Sequence, residues 1–453
     1  MKNIQNIHPS LAENRSCINN LLPIQESFDL IQRDMIIGGR DGSFYFLDGM
    51  IKDDAMVKVM DTMFQVQDAD MPEDATSFVR KIVPYVEVDI VTDFQDAVRS
   101  ILSGITMLFI DGYEAGIAID CRTYPGRSVE EPEKDKSMRG SKDGFVETIV
   151  FDTALIRRRI RDPHLVMEML EIGESSRSDV VLCYIKNKVD QELLDNVRSK
   201  IKAVQTTDLC MNHQSLAEAL IGTRWYNPFP KFKFTERPDT TAKCLMEGKV
   251  AILVDNSPSA MILPSSILDM IEEANDYYFP GWTSLYLKVS RALILLLTVF
   301  LTPVFLLMMQ NIQWLPDAFS FIAVRDVVHI PLVFQLLILE LAIDGLRLAA
   351  LSTPTMLSTP LSVFAGLVLG EFSVNSGWFN TEVMLYMAFV AIANYTQPNF
   401  ELGYAVKFMR IILVILTGAF DWPGFAAGCL LLIILLCTNR TLSGRNALHI
   451  KLN

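Results

Sequence analysis

Four ionisable residues stand out because the stretch that holds them, residues 330–399, is otherwise apolar enough for a bilayer: Glu340, Asp344, Arg347 and Glu371. An ionised side chain near the middle of a membrane costs roughly 2.5–3.5 kcal/mol on insertion scales, so such groups face a partner helix or water. Glu340, Asp344 and Arg347 stand at i, i+4 and i+7, on one face of a helix. The chemistry on offer is charge handling. Either the three neutralise one another and fix helix packing, or they line or gate an ion path. Gly366 and Gly370 are spaced G-x-x-x-G, which suits close helix packing in an oligomer, although glycine is also simply tolerated in membrane helices.

Catalysis has no comparable support, and the chain reads as no enzyme. There is no phosphate-binding glycine loop, no H-E-x-x-H and no G-x-S-x-G. The histidines (His8, His164, His213, His329, His449) are far apart, so no metal site or cofactor is expected. The seven cysteines include no C-x-x-C pair, which suits reduced thiols without disulfides.

The elements that must position these charges belong to two solvents. Before Gly281 there are 31 Lys+Arg against 45 Asp+Glu, a balance of −14; from Gly281 onward the counts are 9 and 8, a balance of +1. A charged region is followed by a membrane region. The acidic balance argues against nucleic acid as a partner. No hydrophobic segment opens the chain, so the head is expected to stay in the cytosol. Lys288 and Arg291 precede the apolar run 292–309 and mark its start as cytosolic; Lys407 with Arg410, then Arg440, Arg445 and Lys451, are the other positive clusters. Six crossings fit this pattern: 289–310, 330–350, 355–370, 382–396, 404–420 and 423–438. A re-entrant pair at 355–370 and 382–396 would leave four. Ser352-Thr353-Pro354 and Ser358-Thr359-Pro360 bracket a break, after which the run 361–369 is too short to span about 30 Å alone. Both termini are expected in the cytosol.

In the head, a mobile arm or early helix (1–27) leads to an α/β subdomain (28–126), a charged linker (127–143) and a second α/β subdomain (144–280), before the helical membrane domain (281–453). Asp41-Gly42 and Asp48-Gly49 signal a hairpin, and 145–151 reads as a strand. One unit occurs twice, about 140 residues apart: helix, stop at Ser103-Gly104, strand, turn at Asp111-Gly112, strand; then helix, stop at Glu247-Gly248, strand, turn at Asp255-Asn256, strand. The repeat suggests two related α/β subdomains or one sheet built from both ends, and two subdomains are the preferred reading. The basic run from Arg157 to Arg161 is read as a solvated face or as pairing with local acids, with lipid phosphates the rarer alternative.

Several stretches carry a family resemblance: Gly144-Phe145-Val146-Glu147-Thr148; Arg157-Arg158-Arg159 within 154–163; Asn227-Pro228-Phe229-Pro230; Thr235-Glu236-Arg237-Pro238-Asp239; and 245–255 with Gly248 and Asp255. With residues 340–347 and 357–380, the chain resembles the A subunits of the GerA family of spore germination proteins, and among them the SpoVAF branch. Asp152, where receptor subunits often have Asn, Arg177-Ser178, and the end at Asn453 depart from the pattern. The resemblance implies a protein of the spore inner membrane that assembles as a ring, a pentamer, and passes monovalent cations during germination beside other germination proteins. Cytosolic heads would stack beneath the ring. A non-conducting scaffold or regulatory subunit is the rival, and a secondary transporter would need internal repetition in the membrane half, of which there is none to the eye.

Overall fold

A computed structural model describes residues 6–124, 140–173, 176–204, 212–221, 227–324, 328–352, 363 and 365–439. The chain divides into two compact units, Met1–Thr223 with Phe232–Pro264, and Arg224–Lys231 with Ser265–Asn453.

The first unit is α/β. Its opening elements are α1 (Leu11–Leu21), β1 (Leu30–Ile37), β2 (Arg40–Leu47), α2 (Asp53–Phe64), α3 (Ala75–Lys81), β3 (Val88–Val91), α4 (Phe94–Leu102), β4 (Thr106–Ile110) and β5 (Gly116–Ile119). They build an antiparallel sheet in the order β1-β2-β4-β5-β3. Then come α5 (Ile149–Arg159), β6 (Leu165–Ile172), β7 (Ser178–Ile185), α6 (Gln191–Lys202), α7 (Asn212–Ile221), β8 (Lys233–Thr235), α8 (Pro238–Met246), β9 (Val250–Val254) and β10 (Ala260–Leu263). Their sheet runs β6-β7-β9-β10-β8, the first order repeated strand for strand. Phe94, Ala97 and Ile101 of α4 pack on Tyr45, Met107 and Phe109. Ala242 and Leu245 of α8 pack likewise on Val181, Leu253 and Ile262.

The stop between helix and strand is a left-handed glycine in both copies, Gly104 at φ +93° and Gly248 at φ +88°. A Cβ on Gly248 would also stand 2.6 Å from the Lys188 carbonyl oxygen. The first hairpin turns three residues earlier than Asp41-Gly42 suggests. Ile37 pairs with Arg40, so Gly38-Gly39, at φ +51° and +75°, make the two-residue turn. Nor is 145–151 a strand: the Val146 N–H is spent on the Asp152 carboxylate (2.8 Å) and the Ile149 N–H on Asp255 (3.2 Å), which starts α5 instead of a ladder.

Residues 27–29 dock on the second sheet. Arg157, 1% exposed, donates through Nε to Asp29 Oδ2 (2.7 Å) and through Nη2 to Asp29 Oδ1 (3.0 Å) and the Leu165 carbonyl (3.2 Å). The Met167 N–H donates to Ser27 Oγ (2.9 Å). Arg158 lies over the Tyr124 ring (4.5 Å), and Arg159 pairs with Asp143 (2.5 Å). All three arginines are engaged within this unit, not held out for lipid phosphates.

The second unit is helical: α9 (Ile267–Ile271), α10 (Asn275–Tyr278), α11 (Gly281–Gln310), α12 (Leu332–Ser352), a π-helical stretch Leu367–Phe372, α13 (Thr381–Tyr395) and α14 (Phe400–Thr438). Two of these, α11 and α14, are long and apolar enough to cross a membrane among the described residues. At Asp421 (φ 56°, ψ −135°) α14 breaks into two arms. A Cβ on Gly428 would meet Leu413 Cδ2 at 2.5 Å, whereas fifteen residues of straight helix span about 22 Å, so the arms fold back antiparallel. The Ser-Thr-Pro repeats at 352–360, most of the expected linker and the terminal Arg440, Arg445 and Lys451 lie outside the described residues, apart from Ser352.

Removing Asp29 strands a buried guanidinium, so Asp29→Ala is expected to cost about 3–5 kcal/mol, read as lowered thermal stability of the full chain. Burial, aided by Glu147 and Asp255, pushes Asp152 up to about 8 from 3.8, against the Val146 hydrogen bond. The folded state therefore holds a proton that the unfolded chain loses, and stability declines as pH rises from about 4 to 8. Asp152→Asn should flatten that decline, measured as the loss of Tm between pH 5 and pH 8 in variant and parent.

Candidate functional site

The Leu-, Ile- and Ala-rich sequence of α12 is a strong helix former, and its start is clamped to the entry of α13. Gln335 Nε2 donates to Asn380 Oδ1 (2.8 Å) and the Asn380 N–H donates back to Gln335 Oε1 (2.9 Å). Asn399 caps α14 by accepting from the Leu402 N–H (3.0 Å). These clamps set α12 and the first arm of α14 side by side. Lys407 and Arg410, at i and i+3, then share a helix face turned toward Glu340 and Asp344.

Arg410 makes a fork on Glu340, Nε to Oε1 at 2.5 Å and Nη2 to Oε2 at 3.0 Å. Its Nη1 donates to the Thr298 carbonyl on α11 (3.0 Å), so one guanidinium joins three helices. Lys407 Nζ stands among three oxygens: Glu340 Oε2 (3.5 Å), the Glu340 carbonyl (3.4 Å) and Asp344 Oδ1. Glu340, Lys407 and Arg410 are buried, while the Asp344 side chain keeps 34% of its surface exposed. A niche of about 10 Å³, room for one water, lies between Glu340, Asp344, Arg347, Asn394, Lys407 and Arg410. Asn394 Oδ1 is buried and accepts no hydrogen bond from the described residues.

Of the charged face read from the sequence, Glu340 and Asp344 are brought together but are neutralised by α14 rather than by Arg347. Arg347 is held by aromatic faces instead, its guanidinium 5.5 Å from the Tyr395 ring, 5.4 Å from Phe400 and 4.9 Å from Tyr404. Lys407 and Arg410, taken from the sequence as a topological marker, are interior residues because they meet acids on α12. Their signal was legible: a basic pair at i, i+3 in one apolar run complements an acidic pair at i, i+4 in another. Lys288 and Arg291 are likewise compensated, the first by Glu272, the second by Asp276 (2.8 Å) and Glu273 (3.1 Å).

Gly366, Gly370 and Glu371 lie apart from this cluster, in and beside the π-helical stretch Leu367–Phe372. Among the described residues a Cβ on either glycine would meet nothing within 4 Å, and Glu371 is exposed. The other motif residues do structural work. Pro228 and Pro230 stiffen a strap whose Phe229 is buried; Asn227 Nδ2 donates to the Leu435 carbonyl (3.1 Å) and Asn439 Nδ2 to the Pro230 carbonyl (3.2 Å). Arg237, fully buried, pairs with Asp239 (2.7 Å) and donates to the Ser141 carbonyl, and Pro238 opens α8. The Glu147 carbonyl accepts from the Asn256 N–H beside Asp255. No group of three or more His, Cys, Asp or Glu among the described residues is placed to hold a metal ion.

Glu340→Leu is expected to cost about 3–5 kcal/mol by leaving Arg410 buried without its carboxylate. Glu340→Leu with Arg410→Leu should cost less than the two single changes added together, read as Tm in detergent across a double-mutant cycle.

A sequence model of the family described as Bacillus/Clostridium GerA spore germination protein matches residues 18–446. Stage V sporulation protein AF of Bacillus subtilis is 32% identical over 437 residues, 96% of this chain and 88% of that one. Spore germination protein KA of Bacillus subtilis is 25% identical, covering 96% and 80%. The crystal structure of the N-terminal domain of the A subunit of the Bacillus megaterium spore germinant receptor GerK3 aligns with 58% of this chain and 98% of that one, at 24% identity and a TM-score of 0.43. With the family pattern running from residue 18 to residue 446, the chain belongs to the GerA family of spore germination proteins.

Proposed function

We propose that this protein is a multi-pass subunit of the spore inner membrane that assembles as a ring, a pentamer, and conducts monovalent cations during germination. The observation that carries the reading is the strip around Leu367–Phe372. It is apolar on its exposed side, with Val368 54% and Phe372 61% exposed, yet it carries an exposed carboxylate, Glu371, and two glycines with open space before them. In a bilayer such a strip is stable against other copies and water, not against lipid. Its π-helical geometry is of the kind frequent at functional sites.

Four to six spans are consistent with the helices. The 30 residues of α11 reach about 45 Å, the thickness of a bilayer with its headgroups. Exposed Trp282 and Tyr286 lie near its start, and Trp314 and Trp422 meet edge to face beyond its end and at the bend of α14, the spacing of aromatic belts. The acidic head, placed in the cytosol, would concentrate cations near the pore mouth, an effect that falls with salt. Other germination proteins of the spore membrane are the partners this reading implies.

A non-conducting scaffold is the second reading, favoured by the internal neutralisation of Glu340, which needs no water path. Recordings from purified protein in planar bilayers separate the two. The ring predicts cation currents that Glu371→Gln reduces several-fold, together with a solubilised complex of pentamer mass. A silent monomer leaves the scaffold.

A further inference from the structure

The niche beside Glu340 holds two buried positive charges that are held by different kinds of contact. Arg410 is fixed by its fork on Glu340 and by the Thr298 carbonyl. Lys407 differs in kind: its ammonium is compact and rides on a flexible stem. Two of its three contacts are long, 3.4 Å to the Glu340 carbonyl and 3.5 Å to Glu340 Oε2. Its third, Asp344, is on the side of the cluster that reaches solvent. Around Nζ there are thus two carboxylates and a backbone carbonyl, the hard oxygen ligands that suit an alkali cation. Asn394 Oδ1, buried and without a donor, borders the same niche and adds a further oxygen.

We propose that the Lys407 ammonium is a tethered cation occupying a site for a free monovalent cation, and that potassium or sodium takes its place when Lys407 swings out toward solvent. Resting on the channel reading above, this makes Lys407 the residue that keeps the closed state closed. The charges are in step with the exchange. Glu340 and Asp344 are balanced by Arg410 and Lys407; withdrawing Lys407 leaves one negative charge, and one alkali cation restores the balance. Arg347, the remaining charge on the niche, is stacked among Tyr395, Phe400 and Tyr404 and needs no carboxylate. The free space beside Lys407, about 10 Å³ with the lysine in place, has room for one water-sized guest.

The test compares the full-length protein with Lys407→Gln in two measurements. In detergent, thermal unfolding is followed in potassium chloride and in choline chloride at equal ionic strength. Lys407→Gln should gain about 3 °C in potassium over choline, while the parent shows no difference. In vesicles, potassium efflux through Lys407→Gln should exceed that of the parent several-fold. Potassium-dependent stabilisation with efflux supports both the site and the channel. Stabilisation without efflux keeps the cation site and removes the channel reading. Equal Tm in potassium and choline overturns the inference, whatever the efflux. Should Lys407→Gln fail to fold, Lys407→Met, which keeps the bulk of the stem and likewise leaves one negative charge on Glu340 and Asp344, carries the same comparison.

Discussion

The helical unit depends on one buried guanidinium. Arg410 reaches from α14 to the carboxylate of Glu340 on α12 and to a backbone carbonyl on α11. Away from bulk water a buried charge needs protein partners, so a bidentate fork with a third hydrogen bond is what makes burial tolerable. The geometry also supplies direction: a planar fork holds three helices in one register, which leucine packing alone does not specify. Lys407 beside it carries the same charge as a compact ammonium on a flexible stem, without the planar fork. A fixed and a movable cation thus share one pair of acids.

The first unit meets a similar problem with the same device. Two sheets of identical strand order need something to tie them, and the tie is Arg157 on α5 closing over Asp29 ahead of β1. Arg237 with Asp239, equally buried, fastens the start of α8 to the chain at Ser141. These are arginines set against one carboxylate each, with one backbone carbonyl, of Leu165 or of Ser141, accepting a further hydrogen bond. That explains why so acidic a region still buries basic residues: its acids at key positions are ligands for interior guanidinium groups.

The strip around Leu367–Phe372 is the opposite case. Glu340, Asp344 and Arg291 are matched from within the chain, whereas Glu371 is exposed and the glycines beside it would meet nothing within 4 Å among the described residues. Internal matching gives a subunit its shape, and the unmatched strip is where a subunit has something left to contact. The proposed ring places those strips together, and the niche at Lys407 places the control of the path within each subunit.

Residue types and spacings by themselves determined the duplicated helix–glycine–strand–turn–strand unit, because left-handed glycines and short, wholly buried apolar strands act over a few residues. They determined the division into an acidic α/β region and an apolar helical one, and the acidic pair Glu340 and Asp344 on one helical face. The turn at Gly38-Gly39 escaped because Asp41-Gly42 is the stronger local signal, and only strand register chooses between them. The segment 145–151 was drawn away from a strand by Asp255, more than a hundred residues on. What answers Glu340 was decided by tertiary structure alone. Lys407 and Arg410 lie about seventy residues away in sequence, and charge pairing inside an apolar bundle is set by which helices touch, not by which residues are neighbours along the chain.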